Sequence, residues 1–379
     1  MMTTTAQYDE ALTWVYDRIA PHFRRAESRR RAWTYLIDLP RVAEEGRRKG
    51  RAAGRGQAES RGDGVQRLLK TARWDEQAVL GELQDVVRDL VNLSTVDLII
   101  TEMSFRKKGS QSAAAARQFS LDSQKLENCQ VAMMMYVATP TGEIYLFDRR
   151  LYVPSSWQRD SARCRAAGIP SSHCGDTKTG LILDMLTRAM NSGFGRGSVS
   201  VLVRDIDRGA VHQLLTQRRV PHFLLCSPGD FTDCVASGGG GSTRPPRFDL
   251  PHETLSNPVG TFRRFAGGKA AGFETSLVAY VPPSRQNGHG GRGEYLAHVR
   301  DESSLPQLAE RITMARRAVN RSRAFKEQIG LEHYEVRSWV GWHRHITLAA
   351  ASQIAYQLAH IPCEAGYRKS NRQGATAVG

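Results

Sequence analysis

The 379-residue chain lacks three features that would settle its class at once: a C-x-x-C pair, a long apolar run and a balanced charge. Its six cysteines (Cys129, Cys164, Cys174, Cys226, Cys234 and Cys363) are scattered. In a chain of this size that predicts free thiols in a reducing compartment, with the cytoplasm as the expected location. No stretch approaches the roughly 18 uninterrupted apolar residues of a spanning helix, so no membrane partner is expected. The opening MMTTTAQYDEALTWVYDR has no basic n-region followed by an apolar h-region, so a secretory leader is not expected. There is no internal repeat. Hydrophobic residues at 40% and charged residues at 24% exclude a wholly disordered chain, and the length allows two or three domains.

Acid is what the chain has least of relative to need: 38 Asp plus Glu against 53 Lys plus Arg, a net charge of +15. The excess is clustered. Between Arg24 and Arg73 there are fifteen Lys or Arg against six Asp or Glu, including Arg24-Arg25, Arg29-Arg30-Arg31 and Arg47-Arg48-Lys49. Clustered positive charge is the footprint of a phosphate-rich partner, and DNA is the expected one.

Apolar spacing predicts helix from about Asp9 to Leu36, interrupted near Pro21, and a Gly/Arg-rich loop from Glu45 to Gly64. Helix resumes from Asp63. A further helix carries Val79, Leu80, Leu83, Val86, Val87, Leu90 and Val91 on one face. The period then changes. Val96–Ile100, Val131–Ala138 and Glu143–Asp148 read as strands, the last two joined by the turn Thr139-Pro140-Thr141-Gly142 into a hairpin. A helix over Thr179–Asn191, a strand over Val199–Val203, a helix around Val211–Thr216 and a strand over His222–Cys226 follow. Three strands, helix, strand, helix, strand predicts an α/β fold with a mixed sheet. Gly- and Pro-rich stretches around 237–246 and 285–293 bracket a segment of poor regularity, with a strand at Thr275–Val281. Helices return at Leu305–Glu327 and from about Val340 to Ala359, ahead of a polar tail.

Several strings, in order, resemble the insertion-sequence 701 group of DDE transposases. They are Ile99-Ile100-Thr101-Glu102-Met103-Ser104-Phe105-Arg106-Lys107-Lys108-Gly109, then Ala116–Ser120 and Glu127–Gln130, then Asp148–Pro154 with Trp157, and Arg163–Pro170. Gly330–Arg337 and Trp342–Leu348 complete the series. The resemblance implies an RNase H-like core with a Mg²⁺-dependent DNA-cleaving site, preceded by a helical DNA-binding region. Such a site needs carboxylates to hold two Mg²⁺ ions against a phosphodiester. At the positions matching the three family acids this chain carries Thr101, Leu202 and Val319, and the Arg of the last motif is Ala315. The two aliphatic groups cannot ligate Mg²⁺, and a single neutral hydroxyl leaves no anionic pocket, so no catalytic residue, metal or cofactor is expected. Asp205 or Asp207 for the second acid, and Glu102 or Asp148 for the first, would be the substitutes if the register slipped. Adjacent strand residues face opposite sides, so Glu102 points away from Thr101.

The resemblance lays the chain out as an N-terminal helical, Arg-rich region (1–90), the first part of the core (91–227), an inserted segment (228–304), helices completing the core (305–361) and a tail (362–379). The fold class expected is α/β: an RNase H-like mixed sheet with flanking helices, an N-terminal helical region and an irregular insertion. Candidate anion- or nucleic-acid-binding residues are Lys107, Lys108, Arg117, Lys326, Arg337 and Arg344, with Arg29, Arg30 and Arg31. His333, Glu335, His343 and His345 offer a metal-site reading, but the i, i+2 pair does not share a helix face, which favours packing. His173-Cys174-Gly175-Asp176 reads as a loop thiol rather than a nucleophile. The leading expectation is DNA binding without strand transfer. The alternatives are an enzyme recruited to new chemistry on a small or anionic substrate, and a homodimeric scaffold.

Overall fold

The computed structural model describes residues 5–49, 62–226, 251, 253–270, 272–283, 293–300, 303–332, 334 and 336–360. In chain order the helices are α1 (Thr5–Ile19), α2 (Ala26–Lys49), α3 (Gly62–Lys70) and α4 (Glu76–Leu90) before the sheet begins. Strands β1 (Asp97–Arg106), β2 (Ala116–Ser120), β3 (Lys125–Ala138) and β4 (Ile144–Tyr152) lead to α5 (Ser155–Gln158), α6 (Ser161–Ala166) and α7 (Lys178–Asn191). Then come β5 (Val199–Leu202), α8 (Arg208–Gln217), β6 (His222–Cys226), β7 (Glu253–Asn257), β8 (Gly260–Ala270), β9 (Phe273–Val281) and β10 (Gly293–Arg300). Helices α9 (Leu305–Gln328) and α10 (Trp339–His360) follow.

The chain divides into two compact units. One is helical: Met1–Asn92 and Phe325–Gly379, joined by Tyr145–Phe147. Its centre is α10, buried along nearly its whole length and on every side, which suits a helix enclosed by others rather than one with a wet face. Trp342, Ile346, Leu348 and Ile354 are fully enclosed. Around them lie Leu12, Val15 and Ile19 of α1 and Val79, Val86 and Val87 of α4. Asp75 starts α4 by accepting hydrogen bonds from the amides of Gln77 and Ala78, the local capping that an N-terminal Asp supplies. Pro21 falls in a short 3₁₀ turn (Ala20–His22) that separates α1 from α2, as its missing N–H requires. Helix α2 runs on to Lys49, so the loop expected from Glu45 begins later. Its remaining stretch, 50–61, lies outside the described residues, as do the Gly-rich runs at 237–246 and 285–292 and the tail from 361.

The second unit, Leu93–Ile144 with Asp148–Ala324, holds the sheet. Its ten strands run β2-β3-β1-β5-β6-β10-β9-β8-β7, with β4 also paired to β3. Strand β1 is antiparallel to β3 and parallel to β5, and β5 is parallel to β6. Helices α7 and α8 make the crossovers. Antiparallel strands followed by helix-linked parallel ones form the RNase H-like mixed sheet that was expected. Nine of the ten β1 residues are buried, as a central strand covered on both faces demands. Gly142, at φ +96°, turns the β3–β4 hairpin where the sequence placed it.

The segment from Glu253 to Arg300 corrects the expectation of irregularity. It forms four antiparallel strands that extend the same sheet through the β6–β10 pair. The Gly-rich flanks concealed β7, β8 and β10, while β9 covers the strand expected at Thr275–Val281. No helix among the described residues is long and apolar enough to cross a membrane.

Candidate nucleic-acid interface at the ends of β1 and β5

Thr101 and Leu202 are register partners on the parallel strands β1 and β5, both buried, at 2% and 8% exposure. Paired residues of a parallel ladder stand about 4.8 Å apart. Helix α9 sends two arginines to this part of the sheet, and Asp97 shares the Thr101 face of β1. At the strand's start, Arg311 of α9 reaches Asp97, with Nη1 at 2.6 and 2.7 Å from the two carboxylate oxygens. Near its end Arg323 of α9 reaches Asp122 at 3.2 Å, and Asp122 in turn accepts the Ser104 amide. Val319 lies on α9 between those two arginines and is half-buried. The three positions that the resemblance matches to acids therefore lie on β1, on its neighbour β5 and on α9, and none carries a carboxyl group.

The buried carboxylates nearby are already engaged. Glu102 lies on the opposite face of β1 and is 3% exposed. Its Oε2 is 2.7 Å from Nζ of Lys178, the first residue of α7. Burial pushes the Glu102 carboxyl above its ordinary range; Lys178 opposes that shift, and Asp205 and Asp122 add to it. Asp97 accepts from Arg311 and from both the amide and the hydroxyl of Ser198. Gly197 permits that approach, since a Cβ there would strike the Val96 carbonyl. Asp148 is buried on β4 with Nη2 of Arg188 at 2.7 Å. Asp207 caps α8 through the Ala210 amide. Asp205 is exposed, in a left-handed turn at φ +56°. Among the described residues, no group of three His, Cys, Asp or Glu side chains is placed to hold a metal ion. A pair of Mg²⁺ ions does not fit the donors at Thr101, Leu202 and Val319, one hydroxyl and two aliphatic groups.

The candidate cations separate into two sets. Lys108, Arg117 and Arg337 are exposed, and Lys107 is half-buried. Arg30 is exposed on α2; Arg29 donates to the Phe23 carbonyl and Arg31 pairs with Glu27. Two others are not surface cations. Lys326 is 8% exposed, with Nζ 2.5 Å from Glu332. Arg344 is equally enclosed, donates to the carbonyls of Leu69 and Trp74 and stacks on the Trp74 ring. Both are engaged within the helical unit, unlike the exposed cations.

The other constellations are scaffold. His345 is buried between the Tyr35 hydroxyl at 2.5 Å and the Leu331 carbonyl at 3.0 Å, and His343 Nδ1 faces the Trp339 carbonyl. His333 and Glu335 lie outside the described residues. His173 turns to Asp176 at 2.7 Å, while the half-exposed Cys174 thiol donates to the Pro170 carbonyl. Lys178, Asp122 and Arg323 were not anticipated. A signal for Lys178 existed: a lysine directly after a Thr N-cap opposes the helix dipole, and such a placement asks for a partner.

Residues 18–205 match the family model described as DDE superfamily endonuclease. With the mixed sheet, that match supports a transposase-like family with an RNase H-like DDE endonuclease fold. It takes in Thr101 and Leu202, while Val319 lies beyond it. No curated protein matches the chain.

Proposed function

We propose that the protein is a transposase-like DNA-binding protein, of the insertion-sequence 701 type, that holds duplex DNA without cutting or joining it at the inherited site. The observation that carries this reading is the Thr101–Leu202 pair: the positions where the family resemblance sets two metal-binding acids hold a hydroxyl and an isobutyl group, both enclosed. Glu102, Asp97 and Asp122 are answered by Lys178, Arg311 and Arg323. Attraction for phosphate survives such a loss, because it needs only exposed cations. Lys108 and Arg117 in the sheet unit and Arg30 in the helical unit supply them. Enclosure of Thr101 and Leu202 favours this over an enzyme recruited to new chemistry at the same spot, which would need an open, polar-lined pocket there.

The test is retardation of duplex DNA by micromolar protein, at about 50 mM and again at about 200 mM salt. Binding that weakens steeply with salt is expected. No retardation at the lower salt overturns the reading.

A further inference from the structure

Among the described residues, two large hydrophobic side chains are exposed: Phe119 at 36% and Leu126 at 61%. They are directly opposed across the β2–β3 ladder. Single exposed apolar residues are ordinary, whereas a facing pair on an edge strand is an adhesive patch that a protein keeps at a cost. This one is ringed by positive charge. Arg117 shares the Phe119 face of β2, two residues away, and is exposed. The Arg204 guanidinium lies 5.9 Å from the Phe119 ring centroid, within cation–π range. Asn128, opposite Arg117, donates its side-chain amide to the carbonyls of Lys107 and Gly109, at 2.9 and 3.1 Å. That clamp fixes the loop carrying the exposed Lys108 beside the hairpin. The acids of the hairpin are answered: Glu127 by Arg106 at 3.5 Å and Asp122 by Arg323. Asp205 is the exposed opposing charge.

We infer that Phe119 and Leu126 form a stacking platform for an unpaired nucleobase of a DNA strand, with Arg117, Arg204 and Lys108 holding the flanking phosphates. An aromatic face set among arginines and a lysine suits a flat, apolar, anionically tethered ligand, and a nucleotide combines those properties. The base must be unpaired, because within a duplex its face is already stacked. Arg204 also places the platform near the former catalytic centre: it follows Leu202 by two residues. The inference rests on the DNA-binding reading and narrows it to frayed or single-stranded ends.

Anisotropy with a labelled blunt duplex, and with the same duplex bearing a short single-stranded overhang, separates the two. The wild-type chain is expected to bind the overhang about tenfold more tightly, the usual worth of one stacked base. Phe119→Ala should abolish that preference and leave blunt-duplex affinity in place, while Phe119→Trp should keep it. Leu126→Ser, at a site too exposed to endanger folding, gives the same reading if Phe119→Ala misfolds. Equal affinity for both probes, or a preference that survives Phe119→Ala and Leu126→Ser, overturns the platform and spares the DNA reading. No binding to either probe overturns both.

Discussion

Nζ of Lys178 sits 2.7 Å from Oε2 of Glu102, tying the first turn of α7 to the centre of β1. Glu102 is the more enclosed partner, so removing the lysine strands a buried anion. Lys178→Met is expected to cost about 3 kcal/mol at neutral pH, the scale for breaking a buried pair. The Glu102 carboxyl is already shifted upward by burial, so its protonated form favours the folded state. A group raised in this way adds stability as pH falls through its folded value. The Lys178→Met deficit should therefore shrink on mild acidification, and Glu102→Gln on the same background should recover much of it. Urea midpoints for the three proteins at two pH values decide it. An unchanged midpoint for Lys178→Met would show the pair to be idle.

What the sequence disclosed follows from how local each signal is. The apolar face of α4 and the continuous apolar strand β3 could be read directly, because burial and period coincide there. Thr101 and Leu202 each match a family acid, by resemblance and by a gap-free count; that the two are register partners is a fact of the ladder that neither signal carries. Strand β9 was legible at Thr275–Val281, whereas β7, β8 and β10 were obscured by Gly-rich flanks. The enclosure of Lys326 and Arg344 was illegible for a different reason. A cation's exposure is decided by residues far away in the chain, such as Trp74 for Arg344, and local sequence does not encode it.

Three histidines meet where α8, β6, β9 and β10 pack. Nδ1 of His212 is 2.8 Å from Nε2 of His222, and His298 stacks on His222 and on Phe273 while facing the Thr275 hydroxyl. Burial lowers all three, His298 to about 4 and His222 well below its ordinary value. A histidine depressed in the fold contributes stability above its unfolded value of about 6.5, lost as pH falls through the folded one. Melting temperature should accordingly drop between pH 7 and 5. His298→Phe, which keeps the stack on Phe273, should show a shallower drop than the parent. Because Glu102 acts with the opposite sign, the difference between parent and variant is the quantity to read. Parallel acid limbs would refute the role given to His298.

The two sets of cations should separate under salt. Each phosphate contact removed lowers the slope of log affinity against log salt by about one. Lys108→Ala, Arg117→Ala and Arg30→Ala are expected to flatten that slope without moving the melting temperature. Lys326→Ala and Arg344→Ala should do the reverse, since Glu332 and the carbonyls of Leu69 and Trp74 lose their donors. A stable Arg344→Ala protein with a flattened slope would return that residue to the DNA surface.

The replacement of the acids can be tested by reversing it. If Thr101 and Leu202 occupy the former ligand positions, Thr101→Asp with Leu202→Asp sets two carboxylates on adjacent parallel strands, at paired positions on one face. Two such anions enclosed together repel, so the double variant should be less stable than the parent in chelator. Magnesium then binds the folded state alone and raises its melting temperature in step with concentration, as linkage requires. The parent should show no such rise, and no magnesium-stimulated nicking of supercoiled plasmid. Glu102→Gln should leave the parent's behaviour toward both untouched, because Glu102 faces Lys178 on the other side of the strand. A double variant indifferent to magnesium would mean that the inherited ligand positions lie elsewhere. Nicking by the parent, lost on Glu102→Gln, would mean that the strand's other face carries a working centre.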